Sequence, residues 1–258
     1  VGLFSTTRLA FSNYNESLNR SVYNIIFEKN KGAYPTLGEV FAFSKTDNNS
    51  SLYIRNFILL GDPAMRLAYP QYSVITTEIN ETPAGSLMDT ISALSFVTVK
   101  GQIIDELGNK ANDFNGTISP IVFDKPSKNM TLAYSPSVNT PAPFYIQKNT
   151  LYKGNVEVKD GEFLFSFYVP KDINYAYGKG KISYYAENGN ADATGYYNSF
   201  VIGGSSDKQV QDNERPSVSL FMNDASFVNG GITDENPVLI AELSDKMGIN
   251  TTGIGIGH

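Results

Sequence analysis

Val156-Glu157-Val158-Lys159-Asp160-Gly161-Glu162-Phe163-Leu164-Phe165-Ser166-Phe167 is the stretch that decides the fold. From Phe163 to Phe167 apolar rings fall on every second residue, which is the period of a strand with one face turned to a core. Val156 and Val158 alternate in the same way ahead of it. Between the two runs, Asp160-Gly161 has the chemistry of a two-residue hairpin turn, because both residues tolerate the positive φ that such a turn requires. The reading is therefore antiparallel β.

The texture extends outward from there. From residue 72 to about 204 short strands follow one another, among them a run from Leu94 and Phe96 through Ile103 and another at Ile182 to Tyr184. Turn-prone clusters separate them: Asp105-Glu106-Leu107-Gly108-Asn109 and Asn188-Gly189-Asn190. These spacings predict an antiparallel sandwich over 71–204. Gly203-Gly204-Ser205-Ser206-Asp207 opens a flexible linker at 205–214. Beyond Pro216, strands at Val218-Leu220-Met222 and from Val238 to Leu243, with a turn at Asn229-Gly230-Gly231, start a second β unit over 215–258. Two or three strands do not close a sandwich, so that unit is expected to be incomplete.

Residues 1–70 read differently. Val1 to Phe4 predicts a short buried parallel strand ending in polar Ser5, Thr6, Thr7 and Arg8. A helix follows, N-capped by Asn13 or Asn15, with Leu18, Val22, Ile25 and Ile26 on one face, Lys29 and Lys31 in its last turn, and Gly32 at C′. Thr36-Leu37-Gly38-Glu39 is a capping box for a second helix. A third is predicted from about Ser51 to Leu60, with Tyr53, Phe57 and Leu60 aligned and Gly61-Asp62-Pro63 as the stop. Met65 to Tyr69 is predicted to return as a strand. The fold class is thus α+β, mostly β.

Composition excludes several functions. The net charge of −6 offers no basic stripe for nucleic acid. The 258 residues contain no cysteine, hence no disulfide, no thiolate metal site and no cysteine nucleophile. The one histidine, His258, is the last residue, a poor place to hold a general base. No catalytic residue is assigned within the chain, and no cofactor or metal is called for. Gly253-Ile254-Gly255-Ile256-Gly257 has the glycine content of a phosphate loop without the following helix, and reads as strand or turn.

Three clusters have both a functional and a bland reading. The acid pairs Asp105-Glu106 and Asp234-Glu235 are adjacent, so on a strand they point apart instead of facing each other across a cleft; solvated turn acids explain them. Asp105, Asn109, Asn112, Asp113 and Asn115 are oxygen donors of the kind calcium takes, but without a spaced motif, and Asx turns use the same residues. Tyr184-Tyr185 and Tyr196-Tyr197 suggest a sugar platform, but neighbours on a strand face opposite ways, and cross-strand packing is the better reading.

The ordered motifs add a resemblance. Gly2-Leu3-Phe4-Ser5-Thr6-Thr7-Arg8 and Phe57-Ile58-Leu59-Leu60-Gly61-Asp62-Pro63-Ala64-Met65-Arg66-Leu67-Ala68-Tyr69-Pro70 resemble the closing part of a gingipain-type cysteine peptidase domain. Val99-Lys100-Gly101-Gln102-Ile103, Asp113-Phe114-Asn115-Gly116, Val169-Pro170-Lys171-Asp172-Ile173 and Gly178-Lys179-Gly180-Lys181-Ile182 resemble the β domains behind the peptidase in sortases of the type IX secretion system. Met222-Asn223-Asp224 and Gly248-Ile249-Asn250-Thr251-Thr252-Gly253 continue the likeness.

The resemblance implies the tail of a caspase-like α/β domain whose catalytic His and Cys precede Val1. It implies removal of the C-terminal export signal from protein cargo at the outer-membrane surface of a Gram-negative bacterium. The implied partners are that cargo, outer-membrane secretion components, and lipopolysaccharide as acceptor. It places Ser5, Thr6, Thr7 and Arg8 at the margin of the substrate cleft; Arg8 pairing with an acid on the neighbouring helix is the competing reading. The β region would be scaffold and docking surface. Two alternatives stand beside this one: a surface adhesin or glycan-binding β protein without catalysis, and a degradative gingipain, which would be expected to carry a shorter β domain.

Overall fold

The structure, a computed structural model, describes residues 2–30, 32–48, 52–86, 90–133, 140–171, 173–205 and 217–244. The chain divides into two compact units, Val1–Tyr69 and Pro70–His258. Gly203, Gly204 and Ser205, read as the opening of a linker, instead end a strand over Val201–Ser205; the rest of the expected linker lies outside the described residues, as do Lys31, residues 248–253, the later glycine run and His258.

In the first unit β1 (Leu3–Thr6) is followed by helices α1 (Ser12–Ile26) and α2 (Leu37–Asp47), a 3-10 turn at Leu52–Asn56, and β2 (Phe57–Leu60). Leu18, Val22, Ile26, Leu37, Val40, Ile54 and Phe57 are buried and form two small clusters. The capping box is present as read: Thr36 Oγ1 accepts from the Glu39 amide at 3.2 Å, and Glu39 accepts from the Thr36 amide at 2.8 Å. That amide holds the Glu39 carboxyl below the ordinary carboxylate value.

Several expectations for this unit are corrected. Phe57 to Leu60 are not helical; they form β2, paired antiparallel with β1 from Leu3↔Leu60 to Thr6↔Phe57. A strand satisfies this four-residue apolar run in a way that one helical turn cannot, because pairing with β1 uses every backbone group facing it. The same pairing makes β1 antiparallel to its described neighbour, and Leu3 is 56% exposed instead of buried. Residues 65–69 form no strand, and the Tyr69 amide bonds back to the Leu67 carbonyl at 3.0 Å. Helix α1 has Phe11 at its N-cap without a side-chain cap, so Asn13 and Asn15 lie inside it. It ends at Ile26, before Lys29. Gly32 does take positive φ (82°), but within a tight turn closed by Asn30 and Ala33.

The second unit comprises β3 (Tyr72–Ile79), β4 (Thr82–Pro83), β5 (Thr90–Ala93), β6 (Phe96–Ile104), β7 (Gly116–Phe123), β8 (Ser127–Met130), β9 (Pro143–Ile146), β10 (Thr150–Lys153), β11 (Val156–Val158), β12 (Glu162–Tyr168), β13 (Gly178–Lys179), β14 (Lys181–Glu187), β15 (Asp192–Tyr197), β16 (Val201–Ser205), β17 (Ser217–Met222) and β18 (Leu239–Ser244). The main sheet runs β10-β7-β14-β15-β3-β6-β12, with β11 on β7 and β4 on β3. A smaller sheet is β13-β16-β5, and β8-β9 and β17-β18 are separate hairpins.

The main sheet folds over at the β15–β3 seam, where pairing is parallel and spans only Ala193↔Tyr72 and Thr194↔Ser73. The fold brings β12 across from β10 and β14. Tyr152 stacks on Phe165 and Phe167 at 5.1 and 5.2 Å, and Phe163 meets Tyr184 at 5.5 Å. Phe163, Phe165 and Phe167 are buried, as their alternation predicts. Most ladders are antiparallel as expected; β15–β3 and β16–β5 are the parallel ones.

The Asp160-Gly161 turn is formed, with φ of 52° and 72° and reciprocal Lys159–Glu162 hydrogen bonds of 2.9 Å. Its arms then part: β11 pairs with β7 and β12 with β6. The hairpin therefore links the two layers instead of extending one ladder.

Candidate functional site

The end of β1 and the loop after it are held by main-chain bonds. Ser5 and Thr6 pair with Ile58 and Phe57 of β2. Thr7 donates to the Asn56 carbonyl twice, from its amide at 3.0 Å and its hydroxyl at 3.1 Å. Thr6 Oγ1 donates to the Arg8 carbonyl at 2.9 Å, and Arg8 N–H reaches back to the same hydroxyl at 3.4 Å. This is a hydroxyl-closed turn, local and sequence-encoded. Ser5 and Thr6 are half-buried, while Thr7 and Arg8 are exposed.

Among the described residues no carboxylate lies within ion-pair distance of Arg8. On the neighbouring helix Glu16 pairs with Arg20 instead, at 2.7 Å. Arg8 is thus exposed on a backbone fixed by these bonds, with no acid partner among the described residues. Beyond it Phe11 packs edge-on against Tyr53 at 5.0 Å, and Tyr14 stacks on the same ring at 5.0 Å.

Lys45 was not singled out by sequence. Its ammonium donates to the Phe57 carbonyl at 2.9 Å and the Arg55 carbonyl at 3.3 Å, the two flanking the carbonyl that Thr7 uses. It also lies 5.1 Å over the Phe41 ring, which stacks on Phe4 of β1 at 5.2 Å. No sequence signal could have exposed this, since the acceptors are backbone atoms whose side-chain identity does not matter.

Gly61-Asp62-Pro63 has a structural reason. The first amides of α2 have no partner within the helix; Gly38 donates to the Pro63 carbonyl and Leu37 to the Met65 carbonyl, both at 2.8 Å. Asp62 closes the turn by accepting from the Ala64 amide at 2.8 Å. An apolar cleft of about 530 Å3 lies beside this region, lined by Gly2, Phe4 of β1, Val22 and Ile26 of α1, Leu37, and residues 65–68. The loop of Ser5 to Arg8, at the other end of β1, does not line it.

In the second unit the polar clusters are spent on turns. Asp105 accepts from the amides of Leu107 and Asn109 at 2.9 and 2.8 Å, and the Asn109 amide is the main cause of its lowered carboxyl pKa. Asn115 accepts from the Asp160 amide at 2.8 Å. Among the described residues no group of three or more His, Cys, Asp or Glu gathers as a metal site. Tyr184 is buried in the core, whereas Tyr185 and Tyr196 are exposed. Tyr197 packs on Phe200, their ring centroids 6.0 Å apart. The four tyrosines do not share one face. No described helix is long and apolar enough to cross a membrane.

Residues 1–68 match the family model described as peptidase family C25. The whole chain matches the crystal structure of dimeric latent PorU from Porphyromonas gingivalis, with 35% identity and a TM-score of 0.60. The match covers 100% of this chain and 25% of that one, so the chain spans about a quarter of that protein's length. A second match, to the sporulation control protein Spo0M from Bacillus subtilis, has 13% identity and a TM-score of 0.31 over 53% of this chain and 51% of that one, too little to carry an argument. No curated protein matches. The first 68 residues thus match peptidase family C25, and the chain as a whole is PorU-like.

Proposed function

We propose that this chain is the non-catalytic edge of a gingipain-like cysteine peptidase domain, together with β domains that orient it. The peptidase would be a sortase that removes the C-terminal export signal of type IX secretion cargo. The nucleophilic cysteine and its histidine lie in sequence ahead of these residues, and this chain alone is inactive. The observation that carries the reading is the match to PorU over the whole of this chain at 35% identity, with the family C25 match confined to the first unit. The lack of any cysteine in 258 residues agrees with a nucleophile located elsewhere.

The chemistry would be thiolate attack on the peptide bond that joins cargo to its export signal, an acyl-enzyme, and release to water or to an amine of a lipopolysaccharide acceptor. Ser5, Thr6, Thr7 and Arg8 border the cleft in which the cargo lies. Arg8 suits that position because its backbone is fixed while its guanidinium serves no acid among the described residues. The β domains dock against outer-membrane secretion components, and the protein works at the cell surface.

The test uses the whole polypeptide that carries this segment and a cargo protein with its C-terminal export signal. Cleavage at the signal, abolished by thiol alkylation, is expected. Purified residues 1–258 should leave the cargo intact. Cleavage by this chain alone that survives alkylation would overturn the reading. Retention of uncleaved cargo by the whole protein would favour a surface adhesin instead.

A further inference from the structure

We infer that Lys45 is a positioning residue for the substrate-cleft margin, an inference that rests on the proposed placement of Ser5 to Arg8 beside the cleft. The loop hangs on one acceptor. Thr7 donates to the Asn56 carbonyl through both its amide and its hydroxyl, so the position of that carbonyl sets the position of Thr7 and of Arg8 after it. Asn56 closes a 3-10 turn, an element whose last carbonyls lack partners of their own. Lys45 supplies a partner to the Arg55 carbonyl of that turn and, beside it, to the Phe57 carbonyl that opens β2. It reaches over from α2 to the carbonyls on either side of Asn56, those of Arg55 and Phe57.

The choice of lysine is informative. Among the described residues its ammonium has no carboxylate partner, and it directs its donors at main-chain oxygens and the Phe41 ring. Charge-assisted bonds of this kind are stronger than neutral ones. Phe41 in turn stacks on Phe4, so the same side chain braces β1 and the turn that fixes the far end of β1. The margin is thereby placed before substrate arrives.

The test uses the whole polypeptide acting on a cargo protein with a C-terminal export signal. Lys45→Met keeps the aliphatic stem and removes the donors. KM should rise about five- to tenfold with kcat within about twofold, because the margin contacts substrate away from the reacting bond. Arg8→Ala should raise KM on its own, and Lys45→Met should add less than about twofold in that background, since both act through one loop.

Arg8→Ala raising KM while Lys45→Met leaves it unchanged, or fully additive effects, would overturn the role of Lys45 and leave the cleft margin standing. Arg8→Ala without effect would remove the cleft margin and the inference together. A drop in Tm with unchanged KM marks a purely structural lysine and also overturns it. Should Lys45→Met not fold, Lys45→Gln, with one amide donor group, is read by the same KM and coupling criteria.

Discussion

The phenolic oxygen of Tyr184 on β14 lies 2.7 Å from the hydroxyl of Thr76 on β3, joining the two layers of the main sheet through their shared core. Tyr184 is 4% exposed, and its ring also meets Phe163 of β12. Removing the hydroxyl leaves Thr76 without that partner in a part-buried site. Y184F should cost about 1 kcal/mol in urea unfolding, T76V a comparable amount, and the double variant less than the sum. Strict additivity would show that the bond does not couple the layers.

The same burial predicts a pH dependence. Desolvation raises the Tyr184 phenol above its ordinary 10.0, with the Thr76 bond acting weakly the other way. The folded protein therefore holds this proton where the unfolded chain has begun to lose it. The contribution is fully present below the unfolded value and is lost as pH rises above it toward the folded value. The urea midpoint should fall above about pH 10, and fall less steeply in Y184F. Tyr152, also raised by burial, supplies part of the remaining slope.

Gly101 lies opposite Phe163 in the β6–β12 ladder. A Cβ there would sit 2.2 Å from the Phe163 ring and 2.4 Å from the Ile75 carbonyl. The ring occupies the space that the glycine leaves. G101A should destabilise the second unit by about 2 kcal/mol or more. A change under about 0.5 kcal/mol in chemical denaturation would show that ring and backbone yield easily.

Gly38 should invert the usual rule. In an exposed helix, alanine is favoured over glycine by about 1 kcal/mol. Here a Cβ would meet Pro63 Cβ and the Pro63 carbonyl oxygen, both at 2.9 Å. G38A should lower stability and expose the Ala64 and Met65 amides to faster hydrogen exchange. A raised Tm would contradict the tight seat of Gly61-Asp62-Pro63 against α2.

The first unit should not be stable by itself. Its buried side chains form small clusters around a two-stranded sheet, and Leu3, Phe11, Tyr23, Phe27 and Leu60 are each at least half exposed. Two strands and two helices bury too little apolar surface to offset chain entropy. Residues 1–69 expressed alone should unfold without a cooperative transition. A sharp calorimetric peak would refute this.

Where periodicity was strong, the sequence was legible. Phe163, Phe165 and Phe167 are buried, and Asp160-Gly161 turns with both φ positive. Thr36 and Glu39 cap α2 because capping depends only on residues three apart. The weak readings were the short apolar ones. Phe57 to Leu60 fits a helix end or a strand equally well until β1 is alongside, and the start of α1 was misplaced because a helix can begin without a side-chain cap. The candidate loop was legible as a run of hydroxyls before an arginine. Lys45, which reaches the same region through carbonyls ten and twelve residues away, was not.

By itself the sequence determined which residues turn inward along each strand and where tight turns fall, since both follow from alternation and from the φ that a residue tolerates. It also determined that no cysteine chemistry occurs within these 258 residues. Only the tertiary structure decided the partners: that the hairpin arms part to β7 and β6, that Thr76 meets Tyr184 across 108 residues, and that Asn56 holds Thr7 across 49. These are long-range contacts between backbone or small polar groups. They leave no periodic trace in the chain, because their geometry exists only once the layers have folded together.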